Sequence, residues 1–356
     1  MRKHLAAIAL VLMVISLAIA NHAEAQSAVL MLPDQSQHAR ILQRIGLTDI
    51  TIDYHRPLVR GRKIFGGVQA YGDVWRAGAN FNTTIEFSDP VTIEGQPLAK
   101  GIYGLHFIPG ESSWIAIFSK NSTSWGSFTY DKAEDALRVT VKPQRIEPHE
   151  VLSYDFDDPT PTSTVITMRW ETVAVPFKLE VNTRDIVAQS LRNQLRGRVQ
   201  TEWQAWEEVA NYLLENKLSA EEAAKYADRS IEIEDRFENE ITKARALTAL
   251  GRQADARAAQ DKALTLGSES QVYQFARSLQ RLGQQSQALD IFRANIQKHP
   301  NTLTAHVEAA RIDVANSDYL AAVSDMRLAV NAAVDGAKAT FSDLLRQLEN
   351  HVDINK

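Results

Sequence analysis

Residues 50–84 read ITIDYHRPLVRGRKIFGGVQAYGDVWRAGANFNTT. The first five alternate, with Ile50, Ile52 and Tyr54 apolar and Thr51 and Asp53 polar. A period of two turns one face of a strand toward a core and the other toward water. From Arg56 the alternation stops. Arg56, Arg60, Arg62, Lys63 and Arg76 then stand among Phe65, Tyr71 and Trp75, punctuated by Gly61, Gly66, Gly67, Gly72 and Gly78. With Asp53 and Asp73 counted, the segment carries a local charge of +3 in a chain whose formal charge is −5. The pattern predicts a strand that runs into a long shaped loop.

Working outward, short runs rich in Val, Ile, Thr and aromatics recur at 84–88, 91–94, 101–108, 114–119, 138–142, 151–156, 164–170 and 173–181. Each is bounded by Gly, Pro, Asp or Ser, and none is separated from the next by a helical period. Strands in unbroken succession predict an antiparallel β-sandwich or a closed barrel over 26–182, with the sandwich preferred. Glu94-Gly95-Gln96-Pro97 and Pro109-Gly110-Glu111-Ser112 supply hairpin turns, and Gln144 to Glu147 a polar connection between Pro143 and Pro148. Residues 26–45 show no period and read as an entry segment.

After Asp185 the period becomes helical. Gly251, Gly283 and Ser317 recur at intervals of 32 and 34 residues, each followed five residues later by Ala256, Ala288 or Ala322. Ala263, Phe292 and Ala329 follow further on, and Pro300 closes one unit. An earlier unit is marked by Trp206, Ala210, Ala223, Tyr226 and Ser230, with a turn at 216–219 that lacks the glycine and is one residue longer. This resembles the tetratricopeptide repeat, in which small residues let paired helices cross closely. The reading is a helical linker at 183–200, a tetratricopeptide-like α-solenoid over 201–335, and a capping helix with tail at 336–356. The resemblance implies protein or peptide partners for the repeats.

The N-terminus has the order of a secretory leader: Arg2 and Lys3, an apolar run from Leu5 to Ala20, then Ala23-Glu24-Ala25. The sequence therefore predicts a signal peptide at 1–25, cleavage after Ala25, and a periplasmic or secreted protein. The sixteen residues of that run span roughly 24 Å as helix, short of a ~30 Å hydrocarbon core, so no stable membrane insertion is expected. There are no cysteines, which removes disulfides, thiolate metal ligands and cysteine nucleophiles. The acidic balance disfavours nucleic acid.

No phosphate-binding loop, dinucleotide fingerprint or nucleophile elbow occurs, and neither a cofactor nor a metal is expected. His149-Glu150 opens like a zincin helix, but Ser153 stands where the second histidine belongs. Candidate ligand-binding residues are Tyr54, His55, Arg56, Arg60, Arg62, Tyr71, Trp75, Arg76 and Asn80. Guanidinium groups suit bidentate capture of carboxylate or phosphate, and aromatics can wall the site. A plainer arrangement pairs the arginines with acids such as Asp135 or Glu86. The alternative to binding is a hydrolase or lyase with His55 as base, oriented by Asp53, beside Arg56 or Arg76.

Asp-Tyr-His-Arg-Pro at 53–57, Arg60-Gly61-Arg62, Ile64-Phe65-Gly66, Tyr71-Gly72, Val74-Trp75-Arg76 and Gly78-Ala79-Asn80 carry a family resemblance. Gly101-Ile102-Tyr103, Trp114, Trp125-Gly126 and Tyr130-Asp131 continue it. Over roughly 29–181 the chain resembles domain of unknown function 2911, found in exported bacterial proteins and often followed by tetratricopeptide-like repeats. The family has no established activity, so the resemblance implies no catalytic residue. The functional expectation is an exported binding or scaffold protein. Its β domain would hold an anionic ligand or protein partner at the arginine loop, and its repeats would hold a protein.

Overall fold

The computed structural model describes residues 33–356; the leader expected at 1–25 lies outside the described residues. The chain divides between Thr183 and Arg184 into a β unit and a helical unit.

In the β unit, the alternation at 50–54 is the middle of β2 (Thr48–Arg56), with Ile50, Ile52 and Tyr54 buried. Its partner is β1 (Gln37–Ile45), paired without a slip from Gln37↔Arg56 to Ile45↔Thr48. This corrects the entry-segment reading of 26–45. β1 is a sheet edge exposed along most of its length, so nothing selects an apolar period. β3 (Thr84–Phe87), β6 (Gly101–Ile108), β7 (Trp114–Ser119) and β8 (Asp135–Val141) complete a six-stranded antiparallel sheet in the order β1-β2-β3-β6-β7-β8.

The second sheet has the order β5-β4-β10-β9, built from β4 (Val91–Ile93), β5 (Gln96–Leu98), β9 (Gln144–Asp157) and β10 (Ser163–Val181). Two expectations change here. The polar stretch 144–147 is the start of β9, an edge strand where Pro148 removes no interior ladder bond. The runs at 164–170 and 173–181 are one strand, β10, whose register against β9 shifts on both sides of Glu171. Glu171 has φ of +58°, a backbone bulge that alternation alone does not reveal. The sheets remain separate, so the domain is a sandwich and not a closed barrel. Their inner faces meet through Phe107, Phe118 and Phe177, with ring centroids 5.9 Å apart for Phe118–Phe177, and through the edge-on pair Tyr54–Tyr154 at 4.9 Å. Each such side chain contributes about 1.5–3 kcal/mol by leaving water.

The helical unit has ten helices among the described residues. α1 (Thr183–Gln194) falls in the expected linker but packs: Ala188 joins Val209, Ala210 and Leu213 in one cluster, and Arg192 grips Glu222 through two bonds of 2.8 and 2.7 Å. Four antiparallel pairs follow. They are α2 (Trp203–Glu215) with α3 (Ala220–Ile233), α4 (Phe237–Ala249) with α5 (Gln253–Leu266), α6 (Glu269–Arg281) with α7 (Gln285–Lys298), and α8 (Leu303–Ala315) with α9 (Tyr319–Ala332). α10 (Asp335–Glu349) closes the array against α9. The turns of the four pairs each hold one left-handed residue: Lys217 (φ +52°), Gly251 (+75°), Gly283 (+78°) and Ser317 (+63°). Ala223, Ala288 and Ala322 have no exposed surface and Ala256 is 5% exposed, so the small residues sit at the helix crossings. At the later crossing position Asn295, not Phe292, aligns with Ala263 and Ala329; Phe292 is a core residue nearby.

Candidate functional site: an arginine-lined cleft in the β unit

The loop after β2 is fixed by backbone and carboxylate bonds before any side chain reaches solvent. Leu152 N donates to Pro57 O at 3.0 Å and Val59 N to Glu150 O at 2.9 Å, which lays residues 57–59 along β9. Arg60 and Gly61 then turn with φ of +51° and +68°, and Arg60 N donates to the Glu150 carboxylate at 2.8 Å. The bulge at Glu171 aims its carboxylate at the loop, where it accepts from Ile64 N at 3.2 Å and Phe65 N at 3.5 Å. A Cβ at Gly66 would lie 2.7 Å from the Tyr71 ring, so only glycine lets Tyr71 close over the turn. Trp75 exchanges both backbone bonds with Phe107, at 2.8 and 2.9 Å, extending the ladder along β6 past β3.

The result is a cleft of about 540 Å³ lined by Arg60, Arg62 and Arg76, with Trp75 and Trp170 at its base and Leu58 and Val68 among its walls. The two indoles stack at 5.6 Å with 19° between planes. Among the described residues no carboxylate lines the cleft; its remaining polar side chains are Gln35, Ser36 and Gln69. Arg62 spends its donors on the carbonyls of Val59 (3.0 Å) and Leu58 (2.6 Å). Arg76 donates to Asn80 O, and its guanidinium lies 5.2 Å from the Trp125 ring and 5.7 Å from the Phe128 ring. Those two rings stack on one another and are 59% and 77% exposed. Burial lowers the Arg76 pKa from its ordinary value. A desolvated cation without a carboxylate partner gains most from an anion that reaches it.

The acids named as partners for the arginines are engaged elsewhere. Glu86 faces Arg40 at 4.0 Å and Asp135 binds Arg138 at 2.5 Å. Of the sequence candidates, Arg60, Arg62, Trp75 and Arg76 converge on the cleft. Tyr54 is a core residue, with its hydroxyl accepting from Tyr154 N at 3.3 Å. Arg56 donates to Leu152 O at 3.0 Å, Tyr71 covers Gly66, and Asn80 supports Arg76 through its carbonyl. His55 is 7% exposed, and its Nε2 meets Asp34 at 3.3 Å, while Asp53 bonds His38 at 2.7 Å. The two carboxylates therefore serve different histidines. Burial, followed by the neighbouring His38, lowers the His55 pKa, opposed by Asp34. His55, His106 and His149 do not gather: among the described residues no three metal-ligating side chains converge.

Trp170, Trp125 and Phe128 escaped the functional reading. Trp170 closed the run expected as a strand at 164–170; it stacks on Trp75 and directly precedes the bulge at Glu171. Its indole N–H is buried without a hydrogen-bond partner among the described residues.

Residues 36–179 match a family model described as "Protein of unknown function (DUF2911)". The DUF2911 match spans both sheets, from β1 into β10, and includes the whole cleft-forming loop. No curated protein matches the chain. Among solved structures, one described as MamA is similar at 13% identity, covering 44% of this chain and 92% of that one, with a TM-score of 0.30. A second, "YrrB: a TPR protein with an unusual peptide-binding site", has 16% identity, coverage of 46% and 84%, and a TM-score of 0.28. The Cut9–Hcn1 heterotetramer of APC/C has 16% identity, coverage of 48% and 33%, and a TM-score of 0.30.

Proposed function

We propose that the protein is an exported, non-catalytic binding protein whose DUF2911 region captures an anionic group in the arginine cleft. The helical array serves as its protein-binding surface. The observation that carries the first part is the meeting of three arginines in one concavity with no carboxylate among its described lining residues. The occupant bears a carboxylate or phosphate, which planar guanidinium groups grip in pairs, joined to an apolar portion that rests on Leu58, Val68 and the indoles. The leader-like N-terminus supports a periplasmic or secreted site of action; N-terminal sequencing of the mature protein should begin at Gln26.

The test uses phthalate and inorganic phosphate as probes, with titration calorimetry on the unchanged chain and on Arg60→Ala/Arg76→Ala. Phthalate binding that disappears in the double variant, with an unaltered melting curve, is the expected result. Equal binding by both proteins would sink the cleft assignment. Hydrolase or lyase chemistry at His55 draws little support, since His55 is buried against Asp34 and Asp53 belongs to His38.

A further inference from the structure

The repeat register aligns four side chains that no motif singles out. Asn211, Arg245, Arg277 and Arg311 each stand six residues before the left-handed turn residue of their pair. They therefore occupy equivalent positions on α2, α4, α6 and α8, the first helices of the four pairs. Neighbouring rungs touch: Arg245 Nη1 donates to Asn211 Oδ1 at 2.7 Å. Arg277 has its pKa lowered first by burial and then by the positive charge of Arg311. Arg277 and Arg311 thus set like charges against each other, which costs free energy unless something negative lies near them, while Arg245, one pair back, lies by the Glu207 carboxylate.

One end of this row is already occupied. After α10 the chain reverses at His351 (φ +57°), and residues 352–356 return to α8 and α6. Ile354 is 4% exposed, in one cluster with Val307, Ala310 and Val314. Arg311, itself 4% exposed, donates to Ile354 O. The Asn355 amide is read on both sides: its Nδ2 donates to Arg311 O at 2.9 Å, and its Oδ1 accepts from Gln280 Nε2 at 3.0 Å. An aspartate there would lose the first bond. Asn355 thus bridges α8 to Gln280 on α6, and the Gln280 amide oxygen also accepts from Arg277 Nη1. The residue after the asparagine is Lys356, whose side chain has the charge of the arginines.

We propose that the face carrying Arg245, Arg277 and Arg311 is a binding site for an extended peptide of the form branched aliphatic–Asn–acidic. Residues 352–356 fill the aliphatic–Asn part of that site in cis, as a weak internal ligand that the partner displaces. The proposal rests on the reading of the helical array as a protein-binding surface and names its ligand chemistry.

The test is fluorescence anisotropy with fluorescein-labelled VDINEE, VDINKK and VDIDEE against three full-length proteins: the unchanged chain, Asn355→Ala, and Ile354→Ala/Asn355→Ala. Releasing the internal ligand should tighten VDINEE binding at least tenfold in the double variant and severalfold in the single one. VDINKK and VDIDEE should each bind at least tenfold more weakly than VDINEE, and Arg277→Ala should erase the preference over VDINKK. The single variant keeps the buried Ile354, so it decides the matter if the double variant melts early. VDINEE binding that ignores residues 354, 355 and Arg277 would overturn this site while leaving the array a peptide binder. Absence of binding of every peptide to all folded proteins would overturn both.

Discussion

Glu308 on α8 shows how a single buried proton can govern this chain. Its side chain has no exposed surface, and Asn295 Nδ2 donates to its Oε1 at 2.8 Å. The other carboxyl oxygen and Asn295 Oδ1 are both buried acceptors without a donor among the described residues. A proton on Glu308 supplies the missing donor, and burial pushes its pKa from 4.5 up to about 8. The folded state therefore holds a proton that the unfolded chain releases above its ordinary carboxyl value. Stability from this group is complete below about pH 4.5, falls as pH rises, and is gone above about 8. The steepest loss is roughly 1.4 kcal/mol per pH unit. Glu308→Gln keeps the shape and always carries a donor. Urea unfolding of that variant should be flatter between pH 5 and 8 and give the higher midpoint at pH 8; an unchanged slope would show that Glu308 is not the source. In the cleft, Arg76→Lys keeps a charge but loses the planar fork lying beside Trp125 and Phe128. Calorimetry with phthalate should show at least tenfold weaker binding for Arg76→Lys; near-normal affinity would mean that charge alone matters there.

Elements were legible where side chains faced two different environments. β2 alternates because one face is core, and the repeats showed because glycine and alanine recur at turns and crossings. β1 and the start of β9 were illegible for the same reason in reverse: both are exposed edges, so water meets nearly every residue. The cleft was half legible. Arg60, Arg62, Trp75 and Arg76 stood out by type, but Trp170 joins them from another strand, beside a bulge at Glu171 that no local pattern marks. Glu171→Ala removes the acceptor for Ile64 and Phe65 N–H and should cost about 1–3 kcal/mol, read as a lower urea midpoint with weaker phthalate binding. The repeat turns carry a prediction of opposite sign. Lys217 and Ser317 hold the left-handed conformation that glycine fills in the other two turns. Lys217→Gly and Ser317→Gly should each raise stability by about 0.5–1 kcal/mol, and Gly283→Ala should cost about 1 kcal/mol. Midpoints shifting the other way would mean that these turns are not equivalent.

At the scale of the molecule, the proposed capture of an anion has to work from within an acidic protein. Residues 33–183 carry 15 basic and 18 acidic side chains, so the β unit is net negative around its three cleft arginines. A dianion about 5 Å from three positive charges gains about 5 kcal/mol in water-like dielectric, while six remote negative charges at about 20 Å oppose it by about 2.5 kcal/mol. Salt acts unequally on the two. Moving from about 0.01 M to 0.1 M shortens the screening length from about 30 Å to 10 Å, which removes most of the remote repulsion and a smaller share of the close attraction. The losses nearly cancel. Phthalate affinity should therefore change by no more than about threefold over that range, far less than a cleft acting without the acidic surround. Reversing remote acids tests the same balance: Asp155→Lys/Asp158→Lys should tighten binding at low salt and steepen its salt dependence. A steep dependence in the unchanged chain, or none gained in the variant, would show that the ligand is not held by charge.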